Sequence, residues 1–348
     1  MIRKPTRPPT AKCTLPMYMG FLISEPKSST CTHLSEVMGL SHDSVNRFLL
    51  RENYEPKDLF HEAKLLLNMV GGTLSVDDSV LDKPYSKKMA LVGHFWSGKH
   101  HCVVKGINLI TLYYTDSENR SLPVNYRVYD KAADKTKNDY FIEMLDEVRE
   151  WGLQPNYVTG DSGYSSVTHL KKVKNNWMGL MCAVESNRLV SLEKGTWIQV
   201  QKLDIPEEGM RVWLRRFGTV KLFRTRLKEQ LRHYVVFLPN NETDYTFKRA
   251  DFQKLHDQHW EIEQYHRMIK QVCSIEKFQV RLKTPILNHI FAALCGYIHL
   301  QKMQWAKMIV NAYQWQRTLY QAVVKNFVSG FIIDKDYLNP QFQTSVNA

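Results

Sequence analysis

The chain has 348 residues, 43% of them hydrophobic and 24% charged, the balance of a globular protein with two or three domains or one large domain carrying an insertion. No stretch approaches the roughly 18–20 uninterrupted apolar residues of a membrane helix, and no apolar core follows the basic start MIRKPTRPPTAKC, so the expectation is an intracellular, cytoplasmic protein with no membrane partner. Lysine and arginine exceed aspartate and glutamate by 47 − 35 = 12, which suits a partner of dense negative charge, and six scattered cysteines without CxxC spacing read as reduced thiols.

The first thirty residues, rich in Pro, Ser and Thr, read as an arm or a short helix pair. THLSEVMGLSHDSVNRFLLRENY, residues 32–54, then gives two short helices. Leu34, Val37 and Met38 form an apolar face, Gly39 sits in a turn, and Ser41 N-caps a second helix that buries Val45, Phe48 and Leu49. Two helices joined by a tight glycine turn match the helix-turn-helix pattern, with His42, Asp43, Asn46 and Arg47 offered to a DNA groove.

The periodicity changes at residue 73. TLSVDDSVL reads as a strand, HFWSGKHH as part of a polar loop, and GINLITLYY (106–114) and SLPVNYRVYD (121–130) as further strands. Asn138 to Trp151 is an amphipathic helix; NYVTGDSGYSS (156–166) is a strand ending in an acid, followed by a helix; MGLMCAV (178–184) is a fifth strand. This β-β-β-α-β-α-β order predicts an α/β fold with an RNase H-like core. Alternating basic strands over 185–245 read as a β-rich insertion, and Asp251 to Phe327 reads as helical. The expected organisation is an N-terminal helical DNA-binding region (1–70), a core split into 71–184 and 246–330 around the insertion, C-terminal helices, and a tail (331–348).

Three acids stand out by position. Asp77 lies at the end of the first strand, Asp161 ends the fourth, and Glu263 lies on a helix, at separations of 161 − 77 = 84 and 263 − 161 = 102. If the two strands are neighbours, both aspartates meet at their ends and a packed helix supplies the glutamate. Carboxylate oxygens suit hard Mg²⁺, and two such ions about 3.5–4 Å apart serve phosphodiester chemistry. The same residues also have structural readings: Asp161 as an N-cap, VDDS as a solvated strand end, Glu263 as one of many helix-surface glutamates. His256, His259, Glu263, Arg267 and Lys270 fall at offsets −7, −4, 0, +4 and +7, a stripe suited to a metal ligand among phosphate-contacting groups. Arg215, Arg216 and Arg224 in the insertion, with Arg211, Lys221, Arg226 and Lys228 nearby, are further candidates for phosphates.

The helix WEIEQYHRMIKQ, with VDDSVLDKPYSK (76–87) and VTGDSGYSS (158–166), resembles the bacterial insertion-sequence DDE transposases that carry a Tyr-x2-Arg-x3-Glu-x6-Lys signature. Here the spacing reads His256-x2-His259-x3-Glu263-x6-Lys270, so Glu and Lys match and His replaces both Tyr and Arg. The resemblance implies Asp77, Asp161 and Glu263 as ligands of two Mg²⁺ ions, with Mn²⁺ as substitute, and Lys270 on a DNA phosphate. Within the doublet, Asp78 is the alternative to Asp77; Asp-x-Ser/Thr patterns of the family favour Asp77. It further implies cut-and-paste transposition at terminal inverted repeats of double-stranded DNA, and a homodimer bridging both ends. The rival expectation is a catalytically inactive DNA-binding regulator on the same scaffold.

Overall fold

The computed structural model describes residues 11–25, 29–193, 195–227, 230–239 and 247–330; the expected tail over 331–348 and Lys228 lie outside the described residues. Four helices lead the chain: α1 (Leu15–Ser24), α2 (Cys31–Met38), α3 (His42–Arg51) and α4 (Pro56–Lys64). Each begins at a residue that suits a cap. Thr14, Thr30 and Ser41 accept from backbone N–H groups in the first turns of α1, α2 and α3, and Glu55 pairs with Asp58 in a capping box. Gly39 closes α2 at φ +61°, a left-handed conformation open to glycine without penalty. Leu34 is buried, but Val37 and Met38 are 59% and 43% exposed, so the expected apolar face of this helix is only partly covered. Val45, Phe48 and Leu49 of α3 are buried as expected.

A mixed sheet follows, built from β1 (Thr73–Asp82), β2 (Gly93–Ser97), β3 (Cys102–Thr115), β4 (Ser121–Val128), β5 (Tyr157–Gly160) and β6 (Gly179–Val184). Helices α5 (Lys137–Glu150) and α6 (Val167–Asn175) alternate with the later strands. β1 runs antiparallel to β3 and parallel to β5, and β5 runs parallel to β6. β2 corrects the reading of HFWSGKHH as loop. Phe95 and Ser97 point inward while His94 and Trp96 point out, the alternation of a half-buried strand, and it pairs with the start of β3.

The basic stretch after β6 supplies β7 (Leu189–Ser191), β8 (Trp197–Gln199), β9 (Met210–Leu214), β10 (Gly218–Leu227) and β11 (Gln230–Phe237). β11 hydrogen-bonds to β6, so these strands extend the central sheet to eleven strands among the described residues. Helices α7 (Arg249–Gln271), α8 (Lys283–Trp305) and α9 (Ala312–Gly330) complete the described chain, nine α-helices among the described residues. Helix α8 packs against α1, α3, α4, α7 and β4. Enclosure on so many sides explains why it is apolar nearly all round, with Ile286, Ile290, Phe291 and Leu294 at 0% exposure. Each such side chain contributes roughly 1.5–3 kcal/mol by leaving water. Its buried Asn288 is satisfied: the amide donates to the carbonyls of Leu49 and Glu52 at 2.7 and 2.6 Å, tying the end of α3 to α8. One apolar core thus runs from α1 through the sheet to α8. No helix among the described residues is long and apolar enough to cross a membrane.

Candidate active site

Register brings two of the acids together. Val76 of β1 lies opposite Gly160 of β5, so Asp77 and Asp161 follow the same rung; β1 itself runs on to Asp82 and pairs Asp77 with Thr111 of β3, so Asp77 stands mid-strand and not at the strand end expected from the sequence. Asp161 leaves the strand as N-cap of the turn Ser162–Tyr164, where its Oδ1 accepts from the Gly163 N–H at 2.9 Å.

The strand's two-residue repeat then sorts the doublet. On one face of β1, the Thr73 hydroxyl donates to Gln258 Oε1 at 2.6 Å. Ser75 meets Thr159 at 2.8 Å, and Thr159 reaches His259 Nδ1 at 3.0 Å. Asp77 Oδ2 lies 3.4 Å from His266 Nδ1. All three α7 residues come from the side of the helix laid along β1. Asp78 turns the other way, where its carboxylate accepts from Asn108 at 2.5 Å, Lys137 at 2.8 Å and the Tyr164 hydroxyl at 3.1 Å.

Electrostatics follow this geometry. Burial works against the charge of Asp77, but His266, His259 and the Asp78 N–H outweigh it and hold the carboxyl below its ordinary range. Asp161 stands at the open edge of the sheet, yet lost hydration and the carboxylates of Asp77 and Asp78 push it up to about 7. Glu263 is raised for the same two kinds of reason, desolvation and then Asp77, with His266, Arg232 and Arg267 opposing. The influence of Asp77 on both Asp161 and Glu263 marks one shared acidic corner.

The stripe expected on α7 straddles the border of its buried side. Glu263 and Arg267 are exposed. His259 turns inward to Thr159, and burial drives its pKa down to about 4, so it is neutral at physiological pH. His256 packs edge-on against Tyr234 at 5.4 Å. Lys270 donates to the Val80 carbonyl at 2.7 Å and sits 3.3 Å from Glu276. Of the candidates farther away, Asn46 bonds His42 at 3.0 Å and Arg47 is half-buried with its Nε lacking a partner. Arg215 lies over the Trp197 ring, Arg216 occupies the β9–β10 turn at φ +62°, and Arg224 reaches Asp204 at 3.5 Å.

Two neighbours of the acids escaped the sequence reading. His266 follows Glu263 by three residues, one helical turn, which is the signal that places it on the same side. Arg232 shares the parity of Tyr234 on β11 and bears on Glu263, His256 and His259; its signal, an alternating basic strand, was diluted by the many other arginines of the segment.

Among the described residues, no three His, Cys, Asp or Glu side chains converge as a ready-made metal cage. The donor chemistry nonetheless fits a hard divalent cation: Asp161 and Glu263 are both raised first by burial and then by the nearby Asp77 carboxylate, so a bound cation would relieve both.

Residues 72–298 match the family described as Transposase DDE domain. No match is found among curated proteins. Among solved structures, the piggyBac transposase synaptic complex with hairpin DNA aligns at TM-score 0.55 and 13% identity, covering 95% of this chain and 74% of that one. The Drosophila P element transposase strand transfer complex aligns at TM-score 0.29 and 10% identity, over 55% of this chain and 49% of that one. The mariner Mos1 paired end complex with Mg aligns at 0.18 and 11% identity, over 50% and 59%. The piggyBac likeness supports a shared fold, and the other two are too partial to add to it. The matched family region begins just before β1, ends within α8 and contains the whole acidic corner, and the chain belongs to the transposase DDE domain family.

Proposed function

We propose that the protein is the transposase of a bacterial insertion sequence, cutting double-stranded DNA at terminal inverted repeats and joining the freed end to a target in cut-and-paste fashion. One observation carries the reading: Asp77 and Asp161 follow a paired rung of adjacent parallel strands, and the helix bearing Glu263 lies along the same strand. β3, β1, β5 and β6, flanked by α5, α6 and α7, agree with an RNase H-like core into which β7–β11 are inserted.

In this reading Asp77, Asp161 and Glu263 hold two Mg²⁺ ions, with Mn²⁺ as substitute. Asp78 is the structural member of the doublet, because Asn108, Lys137 and Tyr164 already occupy its oxygens. Bound there, the ions supply the Lewis acidity that activates a water or 3′-hydroxyl and stabilises the leaving oxygen. The protein's own groups prepare the corner. His266 fixes one oxygen of Asp77, the Gly163 N–H fixes one of Asp161, and the raised pKa of Asp161 means that it gives up a proton when a cation is held. Arg267 stands exposed one turn beyond Glu263, ready for a phosphate. Lys270 reaches DNA by exchanging Glu276 for a phosphate oxygen. The α2–turn–α3 unit, with Asn46 and Arg47, serves as a helix-turn-helix on the repeats, and Arg215, Arg216 and Arg224 hold flanking backbone. The exposed Val323, Val324 and Val328 of α9 offer an apolar surface to a second copy, as a dimer bridging both ends requires. Such a protein works on the nucleoid in the cytoplasm.

The test is cleavage of a labelled duplex carrying the element's own ends, in Mg²⁺ or Mn²⁺ against chelator, with wild type and Asp161→Asn. Metal-dependent cutting by wild type, and binding without cutting by the variant, is the expected result. Binding without cutting by both, under every metal, replaces the enzyme with a DNA-binding regulator.

A further inference from the structure

The acidic corner has a cationic side that α7 does not supply. Asp161 lies one residue beyond Gly160, which pairs with Cys182 of β6; Ala183 is therefore level with Asp161, and Ala183 pairs with Tyr234 of β11. The line of sheet that carries the catalytic candidates thus continues directly onto β11. Arg232 is two residues from Tyr234, on the same face and one step farther toward the edge where β5 ends.

The neighbours agree with this position. The Tyr234 ring meets His256 of α7 edge-on at 5.4 Å, which fixes β11 against the helix two turns before Glu263. Arg232 hydrogen-bonds Tyr234 and bears electrostatically on His256, His259 and Glu263. Its side chain is exposed. Arg232 from the sheet and Arg267 from the helix therefore both act on Glu263. His259, where the family signature carries arginine, is turned into the sheet and bonded to Thr159.

We propose that Arg232 is a phosphate-binding residue of the active site, holding the DNA strand to be cut against Asp77, Asp161 and Glu263. The inference rests on the transposase reading above. A guanidinium is suited to the task because its planar fork grips two phosphate oxygens and stays charged at any working pH. The location also gives the inserted strands a direct part in the chemistry, in addition to binding DNA at a distance.

The experiment uses the full-length protein and a duplex of the element's ends on which wild-type cleavage has first been mapped. Wild type, Arg232→Gln, Arg232→Lys and Lys171→Gln are compared; Lys171 is exposed on α6, away from α7, and serves as the charge control. Arg232→Gln is expected to lower the cleavage rate roughly 10- to 100-fold, the range of a charge-assisted hydrogen bond, with partial recovery in Arg232→Lys. A second readout needs no catalysis. Binding is measured in Ca²⁺ to the duplex with a natural or an uncharged methylphosphonate group at the mapped position. Wild type and Lys171→Gln should bind the uncharged duplex more weakly, whereas Arg232→Gln should show a clearly smaller penalty. If Arg232→Gln cuts like Lys171→Gln, or keeps the full methylphosphonate penalty, the assignment is overturned while the transposase reading stands. A wild-type protein that binds its ends and cuts nothing overturns both.

Discussion

His266 Nδ1 stands 3.4 Å from Asp77 Oδ2, while its other ring nitrogen is buried without a hydrogen-bond partner. The imidazole therefore spends its polar capacity on one carboxylate, the arrangement of a group that orients a metal ligand. His266→Leu keeps the volume and removes that bond. Mn²⁺ affinity, read by electron paramagnetic resonance, should fall about 10- to 100-fold, with little change in melting temperature because a buried orphan nitrogen leaves with the ring. Unaltered Mn²⁺ affinity in a folded variant reduces His266 to a packing residue.

The two members of the doublet should separate in opposite directions. Asp77→Asn is expected to abolish cleavage and leave the metal-free fold nearly as stable as before. Asp78→Asn strips a partly buried carboxylate from Lys137, Asn108 and Tyr164 and should cost about 1–3 kcal/mol in urea denaturation, with cleavage per folded molecule retained within about tenfold. Reversal of the two phenotypes would move the metal-ligand role to Asp78.

Asp161 gives a pH signature. Its pKa is about 7 in the fold against an ordinary 3.8, so the folded protein binds the proton more readily than the unfolded chain. The resulting penalty is complete above pH 7 and is relieved as pH falls toward 3.8. In metal-free buffer Asp161→Asn should be more stable than wild type by about 1 kcal/mol at pH 8, a figure discounted because the group is solvent-exposed. The difference should shrink toward zero near pH 4. Equal stability at pH 8 would mean that neither burial nor the neighbouring carboxylates disfavour the charge of Asp161.

Acid should undo the junction of α1 with α8. The Tyr18 hydroxyl lies 2.8 Å from His289 Nδ1, and His289 Nε2 faces the Ser274 carbonyl at 3.2 Å, so a neutral ring satisfies both contacts. Burial lowers the pKa of His289 from 6.5 to about 3. The unfolded chain then binds the extra proton first, and stability drains away as pH falls from 6.5 toward 3, by roughly 3–5 kcal/mol in all from this group. His289→Gln should flatten that slope, measured as chemical denaturation midpoints across the range. A slope identical to wild type assigns acid lability elsewhere.

Phe252 of α7 packs the helix against β10 and β11. Its ring stacks on Phe223 at 4.6 Å and packs against Tyr234. Phe252→Ala should cost about 3–5 kcal/mol. Because the same helix carries Glu263, cleavage should fall further than Mg²⁺-independent DNA binding. Proportional loss of both would indicate simple unfolding.

Much of this was open to reading in the chain itself. Strand signals in TLSVDDSVL and GINLITLYY came from β-branched and apolar runs, and the acids were found because each falls in or just after a strand or on a helix between recognisable elements; that β1 continues five residues past Asp77, as far as Asp82, was masked by the acidic doublet. What could not be read were consequences of pairing. The alternation of His94, Phe95 and Trp96 was masked by polar residues at an edge. The stripe on α7 was correctly spaced, but sequence spacing does not say which edge of an arc faces the sheet, and His259 lies on the inward one. Arg232 is near the acids only because β11 pairs with β6, a contact between segments some fifty residues apart.

The Asp77–Asp78 doublet also marks the phase of β1. Successive residues face opposite sides, so sliding the strand by a single position would offer Asp78 to α7 and Asp77 to Lys137 with the same charges in the same volume. The same slip would turn the buried Leu74 and Val76 toward Thr159 and Gln258, so the register that aims Asp77 is also the one that buries the strand's apolar side chains. A one-residue deletion between Thr73 and Val76 would therefore cost packing and the acidic corner together, although the gene would still encode all three acids.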